Sequence, residues 1–246
     1  DAIGFIDEHA ADEEPFYLSI NHYAPHGPWI DQHPHEFTSP YADCAFETCP
    51  EEPAHSWQAR SVGDVRGSLI GYFAAVTAMD AGIGEVLDAL DARGIRDETI
   101  VVFTSDNGFN CGHHGLWGKG NASFPFNMYE NSVKVPLVAA GPGIAAGRVS
   151  EELVSAYDFM PTVLEIAGVR NPEADTLPGR SFASLLRGDS GPIRDDVVVH
   201  DEYGPVRMIR TDRFKYVHRC PYGPHELYDL NVDPDERTNL VDEETH

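Results

Sequence analysis

The stretch Thr99-Ile100-Val101-Val102-Phe103-Thr104-Ser105-Asp106-Asn107-Gly108 decides the fold of this chain. Its first six residues are β-branched or aromatic, a run that is typical of a buried strand. Before it, apolar residues recur at spacings of three and four from about Ser68 to Leu90, the pattern of a long helix. A helix, a strand and then a polar loop is the order found in open α/β sheets, whose sites gather at the carboxyl ends of strands. We therefore expect an α/β sheet with a functional site directly after Thr104.

Segments on both sides extend this pattern. An amphipathic helix is predicted near residues 3–6 and a short buried strand at 14–20, whereas residues 21–60 lack periodicity and are typical of a long surface loop. Residues 135–140 are a further predicted strand. Asp158 is expected to cap a helix that ends near Ile166.

The pattern of predicted elements changes after Gly191. Short β-branched and aromatic runs separated by tight turns predict a small antiparallel sheet, with strands at 197–199, 206–210, 214–217 and 226–230. We therefore divide the chain into an α/β domain at residues 1–190 and a small C-terminal antiparallel α+β subdomain at residues 191–246.

Composition excludes several classes of protein. The chain has 246 residues with 17 Lys and Arg against 41 Asp and Glu, so its formal charge is −24. This balance argues against a nucleic-acid partner, because phosphate contacts need clustered cations. No apolar run approaches the roughly 18 residues of a membrane span, so no membrane partner is expected. An anionic small-molecule substrate stays possible, since a few local cations can dominate one pocket. Cys44 and Cys49 could bridge across a loop, and Cys111 and Cys220 have no obvious mate.

The polar end of the predicted strand indicates a cation site. Asp106 and Asn107 present a carboxylate and a carboxamide, and Gly108 permits the turn that would let both face one target. Such oxygen donors suit calcium or magnesium. Two ligands do not complete a cation shell, and the alternative interpretation is a simple Asx turn at the end of a strand.

The glycine-rich continuation adds cationic groups. Lys119 is a compact positive charge that suits a tetrahedral oxyanion, and His114 could donate to an ester or oxyanion oxygen. The alternative for His113 and His114 is that both are solvated loop histidines. A second loop, Asn21-His22-Tyr23-Ala24-Pro25-His26-Gly27-Pro28-Trp29, carries His26 between two prolines that stiffen the chain. Taken alone this loop is equally a rigid turn, with His22 as a possible substrate contact.

Together these segments resemble the type I sulfatases of the alkaline-phosphatase-like superfamily. The resemblance is carried by Ala24-Pro25-His26-Gly27-Pro28, Thr104-Ser105-Asp106-Asn107-Gly108 and Gly112-His113-His114-Gly115-Leu116-Trp117-Gly118-Lys119-Gly120, followed in the family's order by residues 128–137, 157–162, 177–182, 208–216 and 226–230. It implies an α/β fold whose sulfatase-type sheet has helices on both faces and is present here in part.

The resemblance also implies roles for single residues. Asp106 and Asn107 would be two ligands of a calcium ion, with magnesium less favoured. Lys119 and His26 would be the catalytic pair that binds the sulfate and assists departure of the alcohol. His114 and His22 would contact the substrate, a sulfated small molecule or carbohydrate. A secreted or periplasmic location is also typical of the family.

One part of the family pattern is expected outside this chain. Family members carry a pair of aspartates and a Cys-x-Pro-x-Arg or Ser-x-Pro-x-Arg motif, whose first residue becomes the formylglycine nucleophile, upstream of the segment that corresponds to Asp1. We therefore expect a sulfatase or a fragment of one, inactive by itself, with its nucleophile elsewhere. The alternatives are a phosphodiester or phosphonate ester hydrolase with the same pocket, or a non-catalytic anion- or carbohydrate-binding protein.

Overall fold

A computed structural model describes residues 1–60, 62–201 and 203–243. The chain forms two compact units. The first consists of Asp1–Glu51 and Arg60–Val101, and the second of Glu52–Ala59 and the chain from Val102 onward. The proposed domain boundary after residue 190 stays a prediction.

The first unit is built on one long helix. Its helices are α1 (Ala2–His9), α2 (His35–Thr38) and α3 (Val65–Ala92). The predicted helices near residues 3–6 and 68–90 are confirmed, whereas α2 lies in the segment that was expected to be a loop. Asp64 caps α3 by accepting from the backbone N–H of Gly67 at 2.8 Å, and Gly94 follows the helix with φ +71°.

Aromatic side chains from the long loop pack on α3. The rings of Tyr41 and Phe46 lie 5.5 and 5.3 Å from the ring of Phe73, and Trp29 meets Tyr72 at 6.0 Å. By length and mean hydropathy alone, α3 would also qualify as a membrane-crossing helix. Its ring contacts are those of a core helix in a folded domain.

The predicted strand at residues 14–20 is wrong. This segment has no strand structure, and Tyr17 and Ile20 are 67% and 40% exposed. A strand needs a neighbour for its backbone hydrogen bonds, and among the described residues none pairs with this segment. Cys44 and Cys49, which the sequence left open as a possible bridge, form no disulfide in the described part of the chain.

The second unit contains two sheets. β1 (Val101–Thr104) pairs with β2 (Leu137–Ala140) in a two-stranded sheet. The predicted strand after α3 is thus confirmed. Its predicted burial is wrong, because Phe103 of β1 is 36% exposed, and Val138 of the neighbouring β2 is 59% exposed. The short helices of this unit are α4 (Glu130–Val133), α5 (Phe159–Ile166) and α6 (Ala183–Arg187).

The predicted C-terminal sheet is confirmed. Four antiparallel strands follow in the order β3 (Val197–His200), β4 (Val206–Arg210), β5 (Phe214–Arg219) and β6 (Glu226–Asp229), separate from the sheet of β1. Alternate residues of β4 and β5 face inward, where Val206, Met208 and Val217 form a core with Met128.

A buried ionic cluster lies beneath this sheet. Lys215 is fully buried, and its Nζ lies 3.0 Å from Glu130 Oε1 and 2.7 Å from Glu236 Oε1. Because buried charges are tolerated only when they are paired, these three side chains depend on one another.

Asp158 has a different role from the predicted helix cap. Its side chain makes no capping bond to α5. The buried carboxylate instead accepts from the backbone N–H groups of Ser155 and Arg180, at 2.8 and 2.7 Å, and binds the guanidinium of Arg194. These segments therefore meet at one buried anion.

Candidate active site

The chain leaves β1 directly into the predicted cation-binding pair. Asp106 is exposed and Asn107 is partly buried. The Ser105 hydroxyl donates to the Asn107 carbonyl oxygen at 3.0 Å and lies 3.4 Å from Asp106 Oδ1. This compact turn leaves the Asp106 carboxylate accessible from solvent, as a ligand for a hard cation must be.

Gly108 is required because of a close backbone approach. Its N–H donates to the Ser132 carbonyl oxygen at 2.9 Å, and a Cβ built on Gly108 would collide with the carbonyl oxygen of Asn131. The glycine therefore allows the loop after β1 to pass against the end of α4, which the turn interpretation alone did not reveal.

A buried polar network holds the glycine-rich loop in place, and no sequence pattern had indicated it. Asn110 Nδ2 donates to the Ser132 hydroxyl at 2.7 Å, and that hydroxyl donates to Asn127 Oδ1 at 2.6 Å. Asn127 Nδ2 in turn donates to the carbonyl oxygens of Lys119 and Gly120, at 3.3 and 3.1 Å. All three connecting side chains are buried, so the backbone that carries Lys119 is held from inside the fold.

Lys119 thus combines a fixed backbone with an available ammonium group. Its carbonyl oxygen also accepts from the backbone N–H of Ala122 at 3.0 Å. Its side chain is partly exposed and forms no ion pair with any residue in the described part of the chain. An unpaired ammonium on a rigid loop suits an anionic ligand.

His114 lies in a pocket of about 380 Å³ within the second unit. The other side chains that line it are Glu52, His55, Trp57, Tyr129, Glu226, Tyr228, Glu236, Arg237 and Asn239. This lining does not include Asp106, Asn107 or Lys119. The pocket combines aromatic rings with charged groups, and only His114 had been singled out from the sequence.

The imidazole of His114 is held by stacking. Its ring lies 3.7 Å from the ring of Tyr129 with an angle of 4° between the planes. Burial lowers the pKa of His114 to about 4, and the charge of Arg237 acts in the same direction against the opposing charge of Glu52. Burial, with the charge of Glu226, also raises the pKa of Tyr129 to about 12. At neutral pH the stacked pair is therefore uncharged.

Glu52 and Arg237 close one side of this pocket. The guanidinium donates to both carboxylate oxygens, at 2.7 and 2.6 Å. The hydrogen bond from Arg237, together with its charge, lowers the pKa of Glu52, so this pair is ionised at neutral pH.

His26 and His22 lie in the first unit. His26 is exposed, and its Nδ1 donates to the Gly27 carbonyl oxygen at 2.8 Å, which leaves Nε2 free to accept a proton. The indole of Trp29 donates to the Pro25 carbonyl oxygen at 2.7 Å and stiffens the same loop. His22 is exposed to solvent.

The convergence of the predicted site residues on one site stays a prediction. Asp106, Asn107, His114 and Lys119 follow one another along a single loop region of the second unit, and His26 belongs to the first unit. Asp106 and Asn107 supply two oxygen donors of the kind that calcium prefers. No group of three or more His, Cys, Asp or Glu side chains within the described residues could hold a metal, so this pair fits calcium as part of a ligand set.

One segment corrects the expectation that the chain lacks the nucleophile pattern. Ser190-Gly191-Pro192-Ile193-Arg194 matches Ser-x-Pro-x-Arg. Arg194 forms an ion pair with the buried carboxylate of Asp158, and Ser190 is an exposed residue of the connection after α6. The arginine therefore has a structural partner, and this match gives no reason to assign a nucleophile.

Comparison with known proteins places this arrangement in a class. A putative sulfatase from Bacteroides fragilis superimposes with a TM-score of 0.79 at 25% identity, covering 97% of this chain and 52% of that one. BT4656, solved with its substrate D-glucosamine-2-N,6-O-disulfate, superimposes with a TM-score of 0.65 at 33% identity, covering 73% of this chain and 37% of that one. The fold is that of the alkaline-phosphatase-like hydrolases.

Sequence comparison then narrows the class to a family. The sulfatase profile matches residues 1–169, and the profile for the C-terminal part of N-sulphoglucosamine sulphohydrolase matches residues 112–246. A choline-sulfatase of Rhizobium meliloti is 32% identical over 248 residues, covering 93% of this chain and 46% of that protein. The chain belongs to the sulfatase family, and it spans about half the length of the relatives that it matches.

Proposed function

We propose that the protein to which this chain belongs hydrolyses sulfate esters. The observation that carries the proposal is Lys119, an unpaired ammonium on a backbone held by the buried network of Asn110, Asn127 and Ser132. In a family of sulfatases, such a preorganised cation on the loop that follows an Asp-Asn pair is suited to an anionic tetrahedral group.

Each residue of this chain has a distinct task in the proposed reaction. Lys119 binds the sulfate group and neutralises charge on its oxygens. In its imidazolium form, His26 would donate the Nε2 proton to the departing alcohol and become neutral, while its Nδ1 stays bonded to the Gly27 carbonyl oxygen. Asp106 and Asn107 would hold calcium, which supplies positive charge next to the sulfate. The nucleophile, a formylglycine, would lie outside these 246 residues.

We further propose a sulfated carbohydrate as the substrate class. The pocket around His114 supports this, because its lining combines the rings of Trp57 and His114 with the polar groups of Glu52 and Arg237. Rings with adjacent charged groups suit a ligand that has both apolar faces and hydroxyl groups. BT4656, which is similar in structure, was solved with a sulfated glucosamine.

The test compares hydrolysis of 4-nitrophenyl sulfate by the full-length protein and by its Lys119→Ala variant. We expect kcat/KM to fall at least a hundredfold, as for removal of one oxyanion-stabilising group, with roughly 10²–10³ as the ordinary range. Lys134→Ala is the matched control, because Lys134 is an exposed lysine of the same unit outside the proposed site. Its activity should stay close to that of the wild type.

Other outcomes would contradict the proposal. Equal activity of the Lys119→Ala and Lys134→Ala variants would remove Lys119 from the reaction. Hydrolysis of a phosphonate or phosphate diester, without sulfate ester hydrolysis, would favour the phosphoryl alternative. Binding of a sulfated sugar by a full-length protein without turnover of any ester would favour a non-catalytic protein.

A further inference from the structure

The glycine-rich loop is paired along one side with a segment that lies far from it in the sequence. This segment is Glu52–Ala59 of the second unit, and we call it segment 52–59. The backbone N–H of His55 donates to the Gly115 carbonyl oxygen at 3.0 Å. A Cβ built on Gly115 would collide with the carbonyl oxygen of Pro53, so the two stretches of backbone are in direct contact at this point. The pairing thus begins four residues before Lys119.

Backbone hydrogen bonds continue the pairing on the other side of Lys119. Gln58 and Ser123 form an antiparallel bridge, which is flanked by two backbone hydrogen bonds of 2.8 and 2.9 Å. These run from the N–H of Ala59 to the carbonyl oxygen of Ala122, and from the N–H of Phe124 to the carbonyl oxygen of Trp57. Segment 52–59 therefore holds the loop both before and after Lys119.

The side chain of Gln58 makes the contact of segment 52–59 that lies closest in the sequence to Lys119. Its Oε1 accepts from the backbone N–H of Trp117 at 3.0 Å, and its Nε2 donates to the Trp117 carbonyl oxygen at 3.3 Å. A carboxamide offers one acceptor and two donors, so it can bind both backbone groups of one residue at once. Because hydrogen bonds are directional, two bonds to one residue define its orientation as well as its position.

Gly118 makes the orientation of Trp117 important for Lys119. It has φ +126°, a conformation that glycine adopts readily, so the chain can turn easily between its two neighbours. The carbonyl oxygen of Gly118 accepts from the backbone N–H and from Nδ2 of Asn110, both at 2.9 Å. Gln58 therefore holds the peptide group before this glycine, and Asn110 holds the one after it. Without the first support, rotation at Gly118 would allow Lys119 to shift.

We propose that Gln58 is a positioning residue, which acts through the Trp117 backbone to place the Lys119 ammonium for the reaction. The inference rests on the proposed role of Lys119. Orientation of reacting groups supplies a large part of enzymatic rate enhancement, and a misplacement of about 1 Å can cost roughly a hundredfold in rate. Gln58 needs no contact with the substrate for this effect, since it determines where the cation stands before the substrate arrives.

A double-mutant cycle separates positioning of Lys119 from a general contribution to the fold. It measures hydrolysis of 4-nitrophenyl sulfate by the full-length protein, by Gln58→Ala, by Lys119→Ala and by the double variant, with rates referred to the folded fraction. Gln58→Ala should lower kcat/KM about tenfold, because Lys119 is no longer held in its orientation. In the Lys119→Ala background the same substitution should change kcat/KM less than about twofold, because the group that Gln58 positions is gone.

Two further variants and one probe sharpen the test. Gln58→Met keeps the approximate volume of the side chain but removes both hydrogen bonds to Trp117, so its kcat/KM should match that of Gln58→Ala. Ser56→Ala is the control, because Ser56 is an exposed residue of the same segment, and its kcat/KM should equal that of the wild type. Inorganic sulfate, titrated calorimetrically, tests the same cycle without turnover. Gln58→Ala should weaken sulfate binding only when Lys119 is present.

Several results would overturn the inference. Equal fold losses for Gln58→Ala with and without Lys119 would mean that Gln58 supports the fold in general. Wild-type kcat/KM in both Gln58→Ala and Gln58→Met would mean that the remaining contacts are sufficient to hold the loop. Failure of the proposed function is recognised differently. A protein that neither hydrolyses a sulfate ester nor binds sulfate, or whose Lys119→Ala variant is fully active, would overturn the proposed role of Lys119 and this inference with it.

Discussion

The stacked imidazole of His114 makes protein stability depend on pH in a way that one substitution removes. Its folded pKa is lowered to about 4 by burial, whereas an unfolded histidine titrates near 6.5. Above pH 6.5 both states are neutral, so the stabilising contribution of the stacked ring is fully present. As the pH falls from 6.5 toward 4, only the unfolded state takes up the proton, and stability is lost.

The size of this effect follows from the two pKa values. At pH 5 the unfolded imidazole is protonated almost completely, while most folded molecules are not. Because pH 5 lies about 1.5 units below the pKa of the unfolded imidazole, protonation lowers the free energy of unfolding by roughly 2 kcal/mol between pH 7 and pH 5. His114 is partly buried in the pocket beside Arg237, so solvent screening takes away only part of this amount.

The assay is urea unfolding of the wild type and of His114→Asn at pH 7 and pH 5. Asparagine is chosen because residue 114 has φ +57°, a backbone conformation that asparagine tolerates. Loss of the Tyr129 stacking lowers stability at both pH values, but the gap between the two proteins should shrink by about 1–2 kcal/mol at pH 5 after solvent screening. His22→Asn, at an exposed histidine, should follow the wild type. A gap for His114→Asn that is equal at the two pH values would refute the reasoning.

Three further substitutions test contacts within the second unit. Lys215→Met leaves the buried carboxylate of Glu236 without a cation, and Glu130 with Arg210 alone. It should lower the free energy of unfolding in urea by about 3–5 kcal/mol, and an unchanged midpoint would mean that the cluster is not maintained in solution. Asn127→Ala removes the amide group that donates to the carbonyl oxygens of Lys119 and Gly120, and it should lower the free energy of unfolding by about 1–3 kcal/mol. Amide hydrogen exchange in residues 108–123 should become faster, and unaltered exchange there would contradict the network. Gly108→Ala forces a Cβ onto a neighbouring backbone carbonyl and should lower stability by about 1–3 kcal/mol in thermal unfolding, so a variant as stable as the wild type would show that the loop lies elsewhere.

Elements whose pattern is local could be predicted from the sequence. The helix α3 was visible because its apolar residues recur at helical spacing over 28 residues. The four strands of the C-terminal sheet were visible because short β-branched runs alternate with turns, and the observed bounds lie within two residues of those expected. In both cases the information lies within a few residues of the element itself.

Features that depend on a distant partner could not be predicted. The segment at residues 14–20 has the composition of a strand, but composition does not show whether another strand pairs with it. Lys215 and Glu236 look like solvated charges in the sequence, because their pairing depends on the tertiary fold. For the site, glycines and cations marked the loop of Lys119, whereas Asn127 and Ser132 have no sequence signature that separates buried connectors from surface residues.

One short segment of the second unit is inserted in the sequence of the first, and this order has a consequence for synthesis on the ribosome. Glu52–Ala59 belongs to the second unit although the chain on both sides of it belongs to the first. Arg237, the ionic partner of Glu52, is translated 185 residues later. At about 5–20 residues per second this is a delay of roughly 10–40 s, during which the segment has emerged without its final partner. The speed of translation therefore sets how long this stretch is open to proteases and to incorrect pairing.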